Sequence, residues 1–134
     1  MKALLAIISQ LPETVSEETL ADYLRQITAS TPSVADREVV SYILFELANK
    51  QWHNYQKLQE PLLGDVDVFV STLLQGETSL NIIQDLSGVI GMLGLTQSYE
   101  VFRNLITTEQ TEDVMMEILQ TMSEYGDDVS NPYK

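Results

Sequence analysis

The sequence contains no cysteine and one histidine, His53. That leaves no disulfide framework, no thiolate nucleophile, no cysteine zinc site and no multi-histidine metal site. Cations are scarce as well: 7 Lys and Arg stand against 20 Asp and Glu, a net charge of −13. Such a balance argues against sequence-independent binding to nucleic acid or to an anionic membrane. Long apolar runs are also missing. The longest stretch without a charge, Leu86–Tyr99, is too short and too glycine-rich to cross a bilayer. The apolar run of Met1–Leu11 is shorter than a secretory core and meets Pro12-Glu13 where a small-residue cleavage site would be needed. Leu4, Leu5, Ile7, Ile8 and Leu11 instead suit a buried first helix, and a soluble, cytoplasmic protein is expected.

What is present is enough for a core. At 134 residues and 44% hydrophobic content, one domain (1–134) is expected, burying about 68% of its unfolded-chain surface. Apolar residues recur at i, i+3, i+4 and i+7 in Leu20, Tyr23, Leu24 and Ile27, and again in Val40, Ile43, Leu44 and Leu47. Val66, Phe69, Val70, Leu73 and Leu74 continue the pattern, as do Leu86, Val89, Ile90 and Leu93. Phe102, Leu105 and Ile106 precede Met115, Ile118, Met122 and Tyr125. No segment alternates with period two over a convincing length, so the predicted class is all-α with about seven helices.

The punctuation agrees with this spacing. Thr14 and Glu17 form a plausible capping box, and Thr31-Pro32 would place proline in a first helical turn. Asp65, Ser79 and Thr111 are candidate N-caps, and Gly94 and Gly126 sit where C′ glycines would close two helices. Leu24 and Val40, Val70 and Leu86, and Phe102 and Ile118 are each 16 residues apart. This constant offset reads as three helix pairs, 14–48, 65–94 and 96–126, behind a capping helix at 1–11. An inserted connector at 49–64 and a tail at 127–134 complete the layout. The expected architecture is a short right-handed stack of αα-hairpins, similar to HEAT or armadillo repeats.

Chemistry finds little support. His53, in Gln51-Trp52-His53-Asn54-Tyr55, lacks a nucleophile motif and reads as a surface or interface residue. Gly88, Gly91 and Gly94 spell GxxGxxG, but no strand precedes them, so no phosphate cradle is expected. Gly88 and Gly91 suit close helix contact, and Gly94 suits a helix end. Asp65 and Asp67, or Asp127 and Asp128, lack the spacing of a calcium loop. A helix N-terminus explains the first pair, which would serve as N-cap and first-turn acid. No catalytic residue, metal ligand or cofactor is assigned, and the chain is not expected to be an enzyme.

The distribution of acids carries more. Between Glu109 and Asp128 there are seven acids (Glu109, Glu112, Asp113, Glu117, Glu124, Asp127 and Asp128) and no Lys or Arg. Asp113, Glu117, Gln120 and Glu124 fall at i, i+4, i+7 and i+11, on one face of a helix. Acids at the C-terminal end of that helix add to its negative dipole end. Breaking a local charge rule marks a candidate for function, although solubility alone would also suit a solvated acidic face. Trp52 and Tyr55 gather bulky aromatics in the connector, either as binding anchors or as a satellite core covering a helix pair. Tyr133 either pins the tail or leaves it loose.

In size, charge, helical layout and its Asp127–Tyr133 ending (DDVSNPY), the chain resembles bacterial immunity proteins of contact-dependent inhibition and other polymorphic toxin systems. The resemblance implies a tight one-to-one complex with a cognate toxin, often a nuclease; from the net charge, no nucleic-acid or membrane partner is expected. The physical reading runs parallel, since an acidic protein can occupy the basic surface a nuclease presents to phosphates. Asp113, Glu117, Glu124, Asp127 and Asp128 are the expected charged patch, and Trp52 and Tyr55 the expected anchors. A monomer is expected when free. The alternative is a non-catalytic helical-repeat adaptor for a protein or peptide.

Overall fold

The computed structural model describes residues 2–106 and 110–133. Met1 of the first helix, Glu109 of the acidic run and Lys134 of the tail lie outside the described residues. Seven α-helices and one 3-10 turn make up the regular structure among the described residues, which contain no strand. The all-α class is thus established.

Helix α1 (Lys2–Ser9) buries Leu4 and Ile8 and packs on α3 (Arg37–His53). Helix α2 (Glu17–Thr28) buries Leu20, Leu24 and Ile27, the stripe that its spacing predicts. Its N-cap is Ser16, whose Oγ accepts from the Thr19 amide at 3.2 Å, and not Thr14. Val15 and Leu20, both buried, occupy the N′ and N4 positions of a hydrophobic staple, which accounts for the shift. Pro32 does not open a helix either. Ser33 leads into a 3-10 turn at Val34–Asp36, its hydroxyl donating to Asp36 at 3.0 Å, and α3 follows.

Helix α4 (Leu62–Leu74) begins three residues ahead of Asp65, which therefore lies in the first turn and is not the N-cap. Glu60 supplies that function by accepting from the Gly64 amide at 2.7 Å. Because α3 continues through His53, the connector shrinks to residues 54–61, and Trp52 belongs to the last helical turn. Helix α5 (Leu80–Leu93) follows Ser79 as N-cap residue and ends at Gly94 with φ 73°. The Gly94 backbone is left-handed, and a side chain there would press on the Ser130 and Val129 carbonyls at 3.0 Å.

Helix α6 (Thr96–Arg103) starts at Leu95, which has no side-chain acceptor to offer. Asp67 of α4 caps it from outside, taking the amides of Gln97 at 3.0 Å and Ser98 at 2.7 Å. Asp67 is therefore not explained by its own helix, as the sequence reading had it. Helix α7 (Glu112–Tyr125) is capped by Thr111 as expected, Oγ1 accepting from Val114 N at 3.3 Å.

The most extensive helix contact joins α3 to α5. Helix α4 packs on α2 and α6, and α7 on α5. Val40, Ile43, Leu44, Leu47, Val66, Val70, Ile83, Leu86, Ile90 and Ile118 are fully buried between these helices. Burying side chains of this size contributes about 1.5–3 kcal/mol each, largely offset by chain entropy.

The glycines of α5 are contact points. An added Cβ on Gly88 would stand 2.7 Å from Cε2 of Phe45, on α3. One on Gly91 would overlap the Tyr125 ring of α7, with Cε1 at 2.9 Å. Helix α5 thus receives one aromatic ring from α3 and one from α7, and close packing is the role of both glycines.

Candidate functional site

The outer face of α7 carries the expected acids. Asp113 and Glu124 are exposed and Glu117 is half-buried, along the i, i+4, i+11 stripe. Gln120 Nε2 lies 3.4 Å from Glu124 Oε1. Two apolar side chains, Met116 at 63% and Leu119 at 51% exposure, occupy the same solvent face. At about 100° per residue Met116 and Leu119 lie about 60° and 120° round the helix from Asp113, on the side away from Glu117 and Glu124, so the apolar pair flanks the acid stripe. Sequence periodicity alone did not single out this pair, although i, i+3, i+4, i+7 counted from Asp113 leads through Met116 to Gln120.

At the C-terminal end of α7, Gly126 has φ 71° and its carbonyl accepts from the Tyr99 hydroxyl. Asp127 is 99% exposed and lies 3.9 Å from Arg103, whose guanidinium is 5.6 Å over the Tyr99 ring. Asp128 accepts from the Ser130 amide at 2.9 Å. Tyr125 donates to the Ser87 carbonyl at 3.0 Å. Burial, then the charge of Glu124, pushes the Tyr125 phenol up, with Tyr99 and Glu117 adding to the rise.

Residues 127–133 form a strap linking this end of α7 to the other predicted group. Trp52 Nε1 donates to the Pro132 carbonyl at 3.2 Å. The Tyr133 ring sits 6.3 Å from Trp52, stacked, and 6.0 Å from Tyr55. Tyr133 thus pins the tail, settling what the sequence left open. Trp52 is half-buried, whereas Tyr55, at φ 55°, is 79% exposed. His53 is exposed, and its Nδ1 lies 2.7 Å from the Asn49 carbonyl, the geometry of a surface residue bonded to its own helix.

A second acidic face escaped the sequence reading. On α3, Glu38, Tyr42 and Glu46 recur at i, i+4 and i+8, and Asp85 of α5 joins them. Asn81 donates to Glu38 at 3.3 Å. Burial holds the Asp85 carboxyl above the usual range, and the charges of Glu38 and Glu46 push it further. The Glu46 carboxylate, hydrogen-bonded to Tyr42, raises that phenol in turn. The α3 repeat was visible in the sequence, but Asp85 stands alone there and meets the others only through α3–α5 packing.

Among the described residues, no three His, Asp or Glu converge as metal ligands, and no helix is long and apolar enough to cross a membrane. Comparisons with protein-family models, curated proteins and solved structures return no match.

Proposed function

We propose that this chain is an immunity protein: a binding protein that neutralises a basic bacterial toxin domain, of which a nuclease is the expected kind. The observation that carries the reading is the solvent side of α7, where the exposed Met116 and Leu119 lie along one edge of the stripe formed by Asp113, Glu117 and Glu124. Protein interfaces join exposed apolar side chains to adjacent charged ones. Acids so placed accelerate encounter with a cationic partner and reject anionic ones. Asp127 and Asp128 extend the charge past the helix end, with Tyr55 exposed at the far end of the strap.

The proposed architecture is a stack of three αα-hairpins, α2–α3, α4–α5 and α6–α7. Its support is the neighbour order, with α2, α4 and α6 in contact in sequence and α3, α5 and α7 likewise. A stack of this kind presents whole helix faces to partners. A second reading, a peptide-binding adaptor, rests on a groove of about 720 Å³ between the end of α2 and α4, with Val68, Phe69 and Leu73 in its walls.

Affinity capture from source cells at two salt concentrations, with mass spectrometry, tests both readings. The immunity reading expects a basic partner whose toxic activity is blocked stoichiometrically. Glu117→Lys with Glu124→Lys should then weaken the purified complex by about tenfold or more at low salt and flatten its salt dependence. A partner indifferent to salt and to the double reversal, but lost on Phe69→Asp, would replace this reading with the adaptor.

A further inference from the structure

The outer faces of α3, α5 and α7 join into one surface. At about 100° per residue, Gln84, Asp85, Gly88, Gly91 and Met92 fall within about 120° of arc on α5, opposite the buried Ile83, Leu86 and Ile90. Helix α3 borders this arc. Its Phe45 ring lies over Gly88, and Glu38 and Tyr42 share a cleft of about 360 Å³ with Gln84 and Asp85. Helix α7 meets the arc one turn further on, where Tyr125 lies against Gly91 and bonds the Ser87 carbonyl at 3.0 Å. Tyr42, at 41% exposure, and the half-buried Phe45, Met92 and Tyr125 therefore form an apolar ridge along α5.

Acids border the ridge. Glu38, Glu46 and Asp85 stand on the α3 side, and Glu117 and Glu124 on the α7 side, where their charges reach the Tyr125 phenol. Helices α5 and α7 contain no Lys or Arg. Those of α3 are engaged at its ends, Arg37 with the Leu73 carbonyl and Glu77, Lys50 with the Pro12 carbonyl at 3.1 Å. Among the described residues, no Lys or Arg forms an ion pair with any of the five acids. Solvated acids alone would be an ordinary soluble surface. Asp85 differs: it is half-buried, and its carboxyl ionises less readily than usual, through burial first and the charges of Glu38 and Glu46 next. The fold thus keeps a partly desolvated carboxylate beside two others with no internal cation to offset them, on a face that also presents aromatic rings.

We propose that the α3–α5–α7 layer is the docking surface for a basic protein segment, which sets aliphatic side chains on the Tyr42, Phe45, Met92 and Tyr125 ridge and brings Lys or Arg to the acids on both sides. The inference deepens the immunity reading and rests on it for the partner being a protein. It moves the centre of the interface from the Met116 edge of the α7 acid stripe to the Tyr125 edge and across α5. An aromatic centre with charged borders is the arrangement interfaces favour, and cationic stems lie well on aromatic faces. Nucleic acid is repelled by the same carboxylates. A bare metal ion does not fit, because no three of the described acids converge as ligands.

Methyl NMR of the full chain, labelled at its methionines, separates the two placements, because Met92 lies in the ridge and Met116 on the opposite edge of the α7 stripe. The probe is an amidated peptide repeating Leu-Lys-Lys-Leu, and the control is the same peptide with glutamine for lysine. At low salt the lysine peptide should shift the Met92 methyl and saturate with a Kd of about 1 mM or tighter, and added salt should weaken it. Glu46→Gln with Asp85→Asn should weaken binding by about fivefold or more. Tyr42→Ser, at an exposed position, should weaken it by about threefold and keeps the test intact should the double variant fail to fold. Saturation at Met116 alone would overturn this placement and leave the immunity reading its α7 edge. No saturable shift at either methyl, or equal shifts with the glutamine peptide, would overturn the proposal and count against the acidic-surface reading as well. Unchanged affinity in either variant would overturn the proposal by itself.

Discussion

Replacing Gly91 by Ala would be stabilising by helix propensity alone, by up to about 1 kcal/mol in a helix interior. The structure gives the opposite sign. The new Cβ would overlap the Tyr125 ring, with Cε1 at 2.9 Å and the hydroxyl closer still. Tyr125 must swing away, losing its bond to the Ser87 carbonyl, now 3.0 Å, and its edge contact with Tyr99 at 6.1 Å. The lost hydrogen bond contributes about 1 kcal/mol and overpacking costs about 1–3 kcal/mol. Against the propensity gain, a net loss of about 2 kcal/mol is expected. Urea unfolding of four proteins checks this: wild type, Gly91→Ala, Tyr125→Ala and the double variant. With the ring removed, Gly91→Ala should become neutral or stabilising by up to about 1 kcal/mol, a coupling of about 2–3 kcal/mol. If Gly91→Ala stabilises the wild type, or has the same effect in both backgrounds, the ring-on-glycine contact does not limit α5–α7 packing.

Two further outcomes follow from Asp67 of α4 and Asp85 of α5. Asp67→Ala should cost about 1–2 kcal/mol in thermal or urea unfolding by uncapping α6, while Asp67→Asn, which keeps an acceptor, should cost less. Asp85 gives a pH test. Its carboxyl ionises less readily folded than unfolded, so its contribution is fully present below the ordinary value of 3.8 and is lost as pH rises through the raised one. Asp85→Asn should therefore be more stable than wild type at pH 7, by about 0.5 kcal/mol for a partly exposed group, and the gap should close on acidification. A gap that stays constant with pH would assign the effect to packing.

The helices were legible wherever burial repeats along one chain segment. Leu20, Leu24 and Ile27 of α2 and Val40, Ile43, Leu44 and Leu47 of α3 are buried because their spacing puts them on one face. Helix ends were legible only where the capping group is local, as at Thr111 and Gly94. Asp67 looked like an acid favouring the start of its own helix, yet its partners lie at Gln97 and Ser98. Glu60 stood outside the predicted helix altogether while capping it. The candidate site divides the same way: the α7 acids share one helix, whereas Asp85 meets Glu38 and Glu46 only across a helix interface.

The C-terminal end of α7 is where charge and fold conflict most openly. Glu124, Asp127 and Asp128 crowd the negative end of the helix dipole, where Lys or Arg would be favoured. The structure offsets this with a neutral donor: the Tyr99 hydroxyl bonds the Gly126 carbonyl, and Tyr99 is in turn covered by the Arg103 guanidinium. Arg103 stands off from Asp127 at 3.9 Å, and Asp127 remains 99% exposed. A lysine in the last turn would have neutralised the same carbonyls more simply, and would have removed the negative field from the solvent side. Capping by tyrosine satisfies the Gly126 carbonyl while leaving that field facing outward, where the acids and the helix dipole add.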